Sequence, residues 1–187
     1  KEIDQIYLFF DYDGQDTSDS DEKILEMLKA FNNETEYGKL YISYPMVEAI
    51  RDIRDSEQCN RRCCVDAHIN INYKELSSKD SKYTNITQYI LNDWYKFIYH
   101  NLHKCNCIIN TKFELPEYKQ YSTTMNQETL FAKQMERFIN TQNKVAVLSA
   151  FPLFILDYFG EPLYDKICNN KNNLIKHTCK SCLNVEQ

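Results

Sequence analysis

The segment Leu8-Phe9-Phe10-Asp11-Tyr12-Asp13-Gly14 constrains this chain more than any other, because it runs an apolar stretch directly into two acids and a glycine. Ile3 to Phe10 is nearly unbroken in its apolar character, as expected of a strand covered on both faces in a parallel sheet. Residues two apart in an extended segment face the same side, so Asp11 and Asp13 are expected to converge at the carboxyl edge of that sheet. Open α/β sheets bind their ligands at that edge. Two carboxylates about 4 Å apart repel by roughly 4 kcal/mol at an effective dielectric of about 20, and a hard cation such as Mg²⁺ or Mn²⁺ resolves the conflict. The plain alternative is a turn cap, a role that Asp before Gly often fills. Asp16, Asp19 and Asp21 add negative field nearby and read as a solvated loop and helix start.

The rest of the chain reads as repeated β-loop-α units. Ile24, Leu25, Leu28 and Phe31 predict a helix over 21–31, with Ser20 or Asp21 as its cap. Lys39 to Ser43 alternates as a short strand, and Pro45 then opens a helical segment carrying Met46, Val47, Ile50 and Ile53. Glu48 falls in the first turn of that segment, on the same expected sheet edge as the acid pair. It is the third candidate ligand, with a favourable helix-dipole contact as the alternative. Ile86, Ile90, Trp94, Phe97, Ile98 and Leu102 predict a long amphipathic helix, and Leu130, Phe131, Met135 and Phe138 a shorter one over 128–139. Val145 to Leu148 is the last clear strand, followed by a helix ending near Tyr158 to Gly160. The stretch 56–83 is polar and cysteine-containing and reads as an inserted loop or subdomain, while 168–187 reads as a weakly ordered tail.

Composition sets the class. A chain of 187 residues with three glycines and four prolines has room for one domain and none for a flexible linker. No run approaches the roughly 20 apolar residues of a membrane span, since Ser149, Pro152 and Asp157 interrupt the most apolar stretch. Net charge is −5, which gives no general attraction to nucleic acid, although cations held at an acidic site supply positive charge locally. Arg51, Arg54, Arg61 and Arg62 form a local basic patch. Eight cysteines without a secretory leader suggest thiols or metal ligands and a cytoplasmic default.

On three segments the chain resembles the Toprim-like nuclease core of bacterial anti-phage and abortive-infection proteins of the AbiL and overcoming-lysogenization-defect type. They are Phe10-Asp11-Tyr12-Asp13, Ile42-Ser43-Tyr44-Pro45-Met46-Val47-Glu48, and Val145-Ala146-Val147-Leu148-Ser149-Ala150-Phe151-Pro152. The resemblance implies an α/β fold with a mainly parallel sheet flanked by helices and a cysteine-containing insertion. It also implies Mg²⁺ or Mn²⁺ held by Asp11, Asp13 and Glu48, cleavage of phosphodiesters in nucleic acid, and an ATPase partner of the ABC or SMC-like kind. Lys23, Lys39 and Arg51 are candidates to steady the phosphate. The further acidic residue that this core carries on an earlier strand has no counterpart here, which leads to the expectation of either an upstream segment or an impaired activity.

Two other readings compete. Phe10-Asp11-Tyr12-Asp13-Gly14 also resembles the first motif of haloacid-dehalogenase-like phosphatases, with Asp11 as nucleophile, Asp13 as acid and base, and Ser149 as the hydroxyl on a later strand. Alternatively, Cys59, Cys63, Cys64 and His68 together with His177, Cys179 and Cys182 offer soft ligands for zinc in a non-catalytic interaction module, with Cys59, Cys63, Cys179 and Cys182 as the tetrahedral set. Cys105 and Cys107 read as packing residues, His100 and His103 as helix-surface histidines, and the many tyrosines as core and interface aromatics.

Overall fold

The computed structural model describes residues 4–12, 18–53, 63–67, 72–79 and 81–174. Strand β1 (Tyr7–Asp11) precedes helix α1 (Ser18–Ala30), which starts ahead of the expected Ser20 or Asp21 cap. The chain then passes through the short strand β2 (Asn32–Asn33) into β3 (Gly38–Ser43). Gly38 enters β3 at φ 112°, and a Cβ there would stand 3.1 Å from the Ile6 side chain. Only glycine meets both conditions at that corner.

β1 and β3 are parallel, in register from Tyr7 opposite Lys39 to Asp11 opposite Ser43. β2 lies antiparallel on the far side of β3, giving the order β1-β3-β2. A second sheet pairs β4 (Cys64–Asp66) with β5 (Lys144–Ala146), antiparallel, and a lone antiparallel bridge from Tyr44 to Leu148 ties the end of β3 to the chain beyond β5. The molecule is therefore α/β, but with small mixed sheets where a mainly parallel one was expected. Side chains explain how such short strands are tolerated. Helix α5 (Gln127–Gln134) presents Gln127 and Gln134 on one face, seven residues apart. Gln127 Oε1 accepts the Ile42 N–H at 3.2 Å, while Gln134, wholly buried, accepts from the Ala146 N–H at 2.9 Å and donates to the Ala146 carbonyl at 2.8 Å. Two amides thus satisfy backbone groups that another strand would otherwise pair.

β1 also departs from expectation. Among the described strands it pairs with β3 alone, and Phe9 and Phe10 are 44% and 49% exposed, so it is an edge strand and not one covered on both faces. An apolar run cannot distinguish these cases, because an aromatic strand with one face against a helix looks the same in sequence. That helix is α7 (Ala150–Phe159), which follows the last strand as anticipated.

Between the sheets and α7 lies the main core. The segment after Pro45 forms one short 3₁₀ turn, Val47–Arg51. Within 56–83, the described parts contain β4 and the six-residue helix α2 (Tyr73–Ser78), so the region contributes a strand to a sheet. The long helix α3 (Leu91–Asn110) begins later and ends later than its pattern suggested; Ile86 and Ile90 are exposed, and the Asp93 carboxylate accepts the Ile90 N–H at 3.1 Å to start the helix. Helix α4 (Tyr118–Thr124) precedes α5, whose run continues through a π turn, Met135–Ile139, into the short α6 (Asn140–Gln142). Finally α8 (Glu161–Leu174) carries ordered helix past Cys168, anchored by the buried Ile167 and Leu174, where composition alone suggested weak order. No helix among the described residues is long and apolar enough to cross a membrane.

Candidate functional site

Helix α7 runs antiparallel to β3 across one face of the parallel pair, and this arrangement builds a site at its head and a clamp at its tail. At the head, the Ala150 N–H donates to Ser43 Oγ at 3.2 Å. Ser43 ends β3 and is in register with Asp11, which ends β1. The carboxyl ends of both strands and the first turn of α7 therefore meet at one point. A pocket of about 360 Å³ opens there, lined by Phe9, Phe10, Asp11, Ser43, Val47 and Phe151. Asp11 is exposed on its wall, and Ser43 is buried beneath it.

The next residue turns the other way. Tyr12 is buried against Tyr44 and Phe131, with ring centroids 5.7 Å and 6.2 Å away, and its hydroxyl donates to Asp21 at 3.0 Å. Burial, then the Asp21 charge, raises the Tyr12 phenol well above its usual pKa, so it stays protonated as a donor. Asp21 is therefore engaged in holding α1 to the strand end. Alternation of side chains along β1 is what separates the buried Tyr12 from the accessible Asp11.

The other expected residues fall in different places. Asp13 lies outside the described residues, as do Cys59, His68, His177, Cys179 and Cys182. Glu48 does not line the pocket; its carboxylate lies 4.0 Å from Lys74 Nζ of α2. Ser149, the hydroxyl expected under the phosphatase reading, is wholly buried and does not line the pocket, with its N–H donated to Asn101 Oδ1 at 2.9 Å. Ser43 is the hydroxyl that stands beside Asp11. Of the zinc set, only Cys63 is described; it is half-buried, and its carbonyl accepts the Val147 N–H. The pKa of Cys64 beside it is pushed up to about 12, chiefly by burial. Cys105 and Cys107 are buried within α3, as packing residues would be, whereas His103 is buried and not at the helix surface. Its Nδ1 contacts the Tyr99 carbonyl at 2.8 Å, and desolvation lowers its pKa.

Among the described residues, no three of His, Cys, Asp and Glu converge closely enough to hold a metal ion. The donors at the pocket, the Asp11 carboxylate and the Ser43 hydroxyl, are hard oxygens that suit Mg²⁺ or Mn²⁺ in kind, and a full coordination shell takes donors beyond them.

At the tail of α7 is a constellation that sequence reading missed. Asp157 accepts from Tyr41 Oη at 2.6 Å, from Tyr121 Oη at 2.6 Å, and from Lys39 Nζ at 2.9 Å. A carboxylate in the last turn of a helix opposes the helix dipole, and these three donors offset that cost. Burial first, and Asp157 second, raise both phenols far above their usual pKa. The signals were present as alternate polar atoms on β3, Lys39 and Tyr41, and a lone acid in the apolar helix. Their partnership spans more than a hundred residues of chain and has no local period.

No protein-family model, curated protein or solved structure matches this chain.

Proposed function

We propose that this protein is a divalent-cation-dependent nuclease that cleaves phosphodiester bonds, with Asp11 as its central carboxylate. The supporting observation is the coincidence of two parallel strand ends and a helix start at one pocket, with Asp11 on its wall. Crevices at the carboxyl ends of parallel strands are where such sheets place ligands. Asp11 would hold the cation together with Asp13, the next acid in the chain; the proposal does not rest on Glu48, which faces Lys74 off the pocket lining. When bound, the cation supplies a Lewis acid for the phosphate and lowers the pKa of attacking water. Ser43 positions: its hydroxyl fixes the first turn of α7 against β3, so that the α7 amino terminus faces the pocket. Phe9, Phe10 and Phe151 give the pocket apolar walls that limit water.

A phosphatase is the second reading, favoured by one observation: a serine hydroxyl stands in register beside Asp11 on the adjacent parallel strand. Both readings are tested by incubating the protein with plasmid DNA, with RNA and with a phosphomonoester, each with Mg²⁺ and with Mn²⁺. Loss of polymer cleavage in Asp11→Ala and Asp13→Ala supports the nuclease. Cleavage that survives both substitutions rejects it, and turnover of the monoester alone transfers the site to the second reading. A defence role beside an ABC or SMC-like ATPase partner remains part of the proposal. Co-purification of such an ATPase with the tagged chain from its native host tests that part.

A further inference from the structure

Along the edge of β3 that faces away from β1, a second cleft of about 460 Å³ opens between the β2 corner and the start of α5, and it shares no lining residue with the pocket at Asp11. Its size is that of ordinary ligand sites. Gln127 lines it while only 8% exposed, and its Oε1 is committed to the Ile42 N–H at 3.2 Å. Because that partner can only donate, the other end of the amide is the NH₂ group, and this Nε2 has no partner among the described residues. Two further amides in the lining repeat the arrangement. Asn33 Oδ1 accepts the Thr35 N–H at 3.0 Å, and Asn126 Oδ1 accepts the Thr129 N–H at 2.8 Å as the cap of α5. All three thus have their oxygen engaged and their NH₂ unspent. A buried NH₂ group without an acceptor is costly, so that of Gln127 needs one within the cleft.

Glu34 and Glu128 stand in the same lining, and its lysine, Lys39, is committed to Asp157 at 2.9 Å. An anionic ligand therefore meets two like charges and a cation already paired. An ammonium ligand satisfies the carboxylates but offers nothing to three NH₂ groups, because it has no acceptor. A hydroxyl does both, accepting from an NH₂ group while donating to a carboxylate. Leu28, Phe31 and Leu40 add apolar surface to the same cleft. We propose that this cleft binds a neutral, polyhydroxylated ligand of the sugar class, its hydroxyls held between the amides of Gln127, Asn33 and Asn126 and the carboxylates of Glu34 and Glu128. A sugar ring has the two surfaces this needs, hydroxyls around its rim and C–H bonds on its faces for Leu28, Phe31 and Leu40. Its hydroxyls also reproduce the hydrogen bonds of the water they displace, so little is lost on exchange. Nothing in this site depends on the role of Asp11.

Saturation-transfer difference NMR of the full chain tests this with the methyl glycosides of glucose, galactose, mannose and xylose and with myo-inositol, each at millimolar concentration. Spermidine and citrate serve as the cationic and anionic probes. The expected result is saturation of at least one of the neutral polyols, strongest at its C–H protons, and weaker or no transfer to the two charged probes. Gln127→Glu and Asn126→Asp keep the oxygen that accepts from the backbone and replace the NH₂ group alone. Each is expected to weaken binding of the responding polyol by about three- to tenfold, the scale of one lost hydrogen bond. Thermal midpoints measured alongside show which variants are folded. Should the buried Gln127→Glu fail to fold, the exposed Asn126→Asp decides, since aspartate caps a helix as well as asparagine does. No transfer to any neutral polyol, stronger transfer to spermidine or citrate, or unchanged polyol affinity in the folded variants overturns the proposal.

Discussion

Asp11 and Asp157 lie at opposite ends of the same layer, where α7 crosses the β1-β3 pair, and they show two uses of a carboxylate. Asp157 is enclosed by two phenols and an ammonium, all three within 2.9 Å, and so closes the tail of α7 onto β3 and α4. Asp11 stands on the wall of a pocket formed where two strands and a helix begin or end. A carboxylate enclosed by donors of its own protein stabilises the fold, whereas one exposed on a pocket wall is reachable from solvent. The difference is set by the surroundings and not by the residue.

Replacing each aspartate by alanine should separate these roles most sharply. Asp11→Ala is expected to lower cleavage by about 10²- to 10³-fold, the scale of losing one electrostatic stabiliser at a reacting centre. Its exposed position predicts a thermal stability within about 0.5 kcal/mol of the parent. Asp157→Ala is expected to do the reverse, costing about 2 kcal/mol and lowering Tm by about 4–8 °C as the Tyr41 and Tyr121 hydroxyls lose their acceptor. Calorimetry of both proteins beside a cleavage assay decides the matter. An Asp157 variant that melts with the parent but cleaves nothing would reverse the assignment.

The amide clamp gives a third, smaller test. Gln134→Leu leaves the Ala146 N–H and carbonyl buried without their side-chain partner, which should cost about 1–3 kcal/mol in chemical denaturation. A loss no greater than that of a surface substitution would mean that the backbone there finds other partners.

Titration provides the smallest effects, with opposite signs at the two pH extremes. The Tyr41 and Tyr121 phenols have folded pKa values raised above their ordinary 10.0, by burial and then by Asp157. Their contribution is complete below pH 10 and is lost as pH rises beyond it, because the unfolded chain releases those protons first. Asp157→Ala should flatten this alkaline slope. His103 is lowered from 6.5, chiefly by desolvation and against the opposing pull of the Tyr99 carbonyl and Glu114. Stability is therefore full above about pH 6.5 and falls as pH drops below it, since the unfolded chain takes up the proton more readily. His103→Gln should remove this acid-side slope in urea melts between pH 7 and 5, and an unchanged slope would assign it to other groups.

Much of the architecture was legible because it is local. Helices α1, α3 and α7 follow from apolar spacing, and the existence of β3 from its run around Leu40 and Ile42, although Tyr41 and Ser43 between and after them are buried too, so the strand is covered on both faces where alternation suggested one. That the first strand ends on Asp11 was legible because an acid after an apolar run carries its meaning in adjacent letters. The three-residue strand β4 was not legible, for it is shorter than any period and exists only through β5. Nor was the Gln127 and Gln134 pair, whose role depends on which backbone groups tertiary packing leaves exposed.

The sequence by itself determined where the chain extends, where it coils, and that an acid terminates its first strand, since these depend on neighbours within a few residues. Tertiary structure alone decided that β1 is an edge among the described strands, that Ser43 rather than Ser149 stands beside Asp11, and that Asp157 is enclosed while Asp11 lies on a pocket wall. Each of those outcomes depends on which surfaces meet across distant parts of the chain, and burial and hydrogen-bond satisfaction are properties of that meeting.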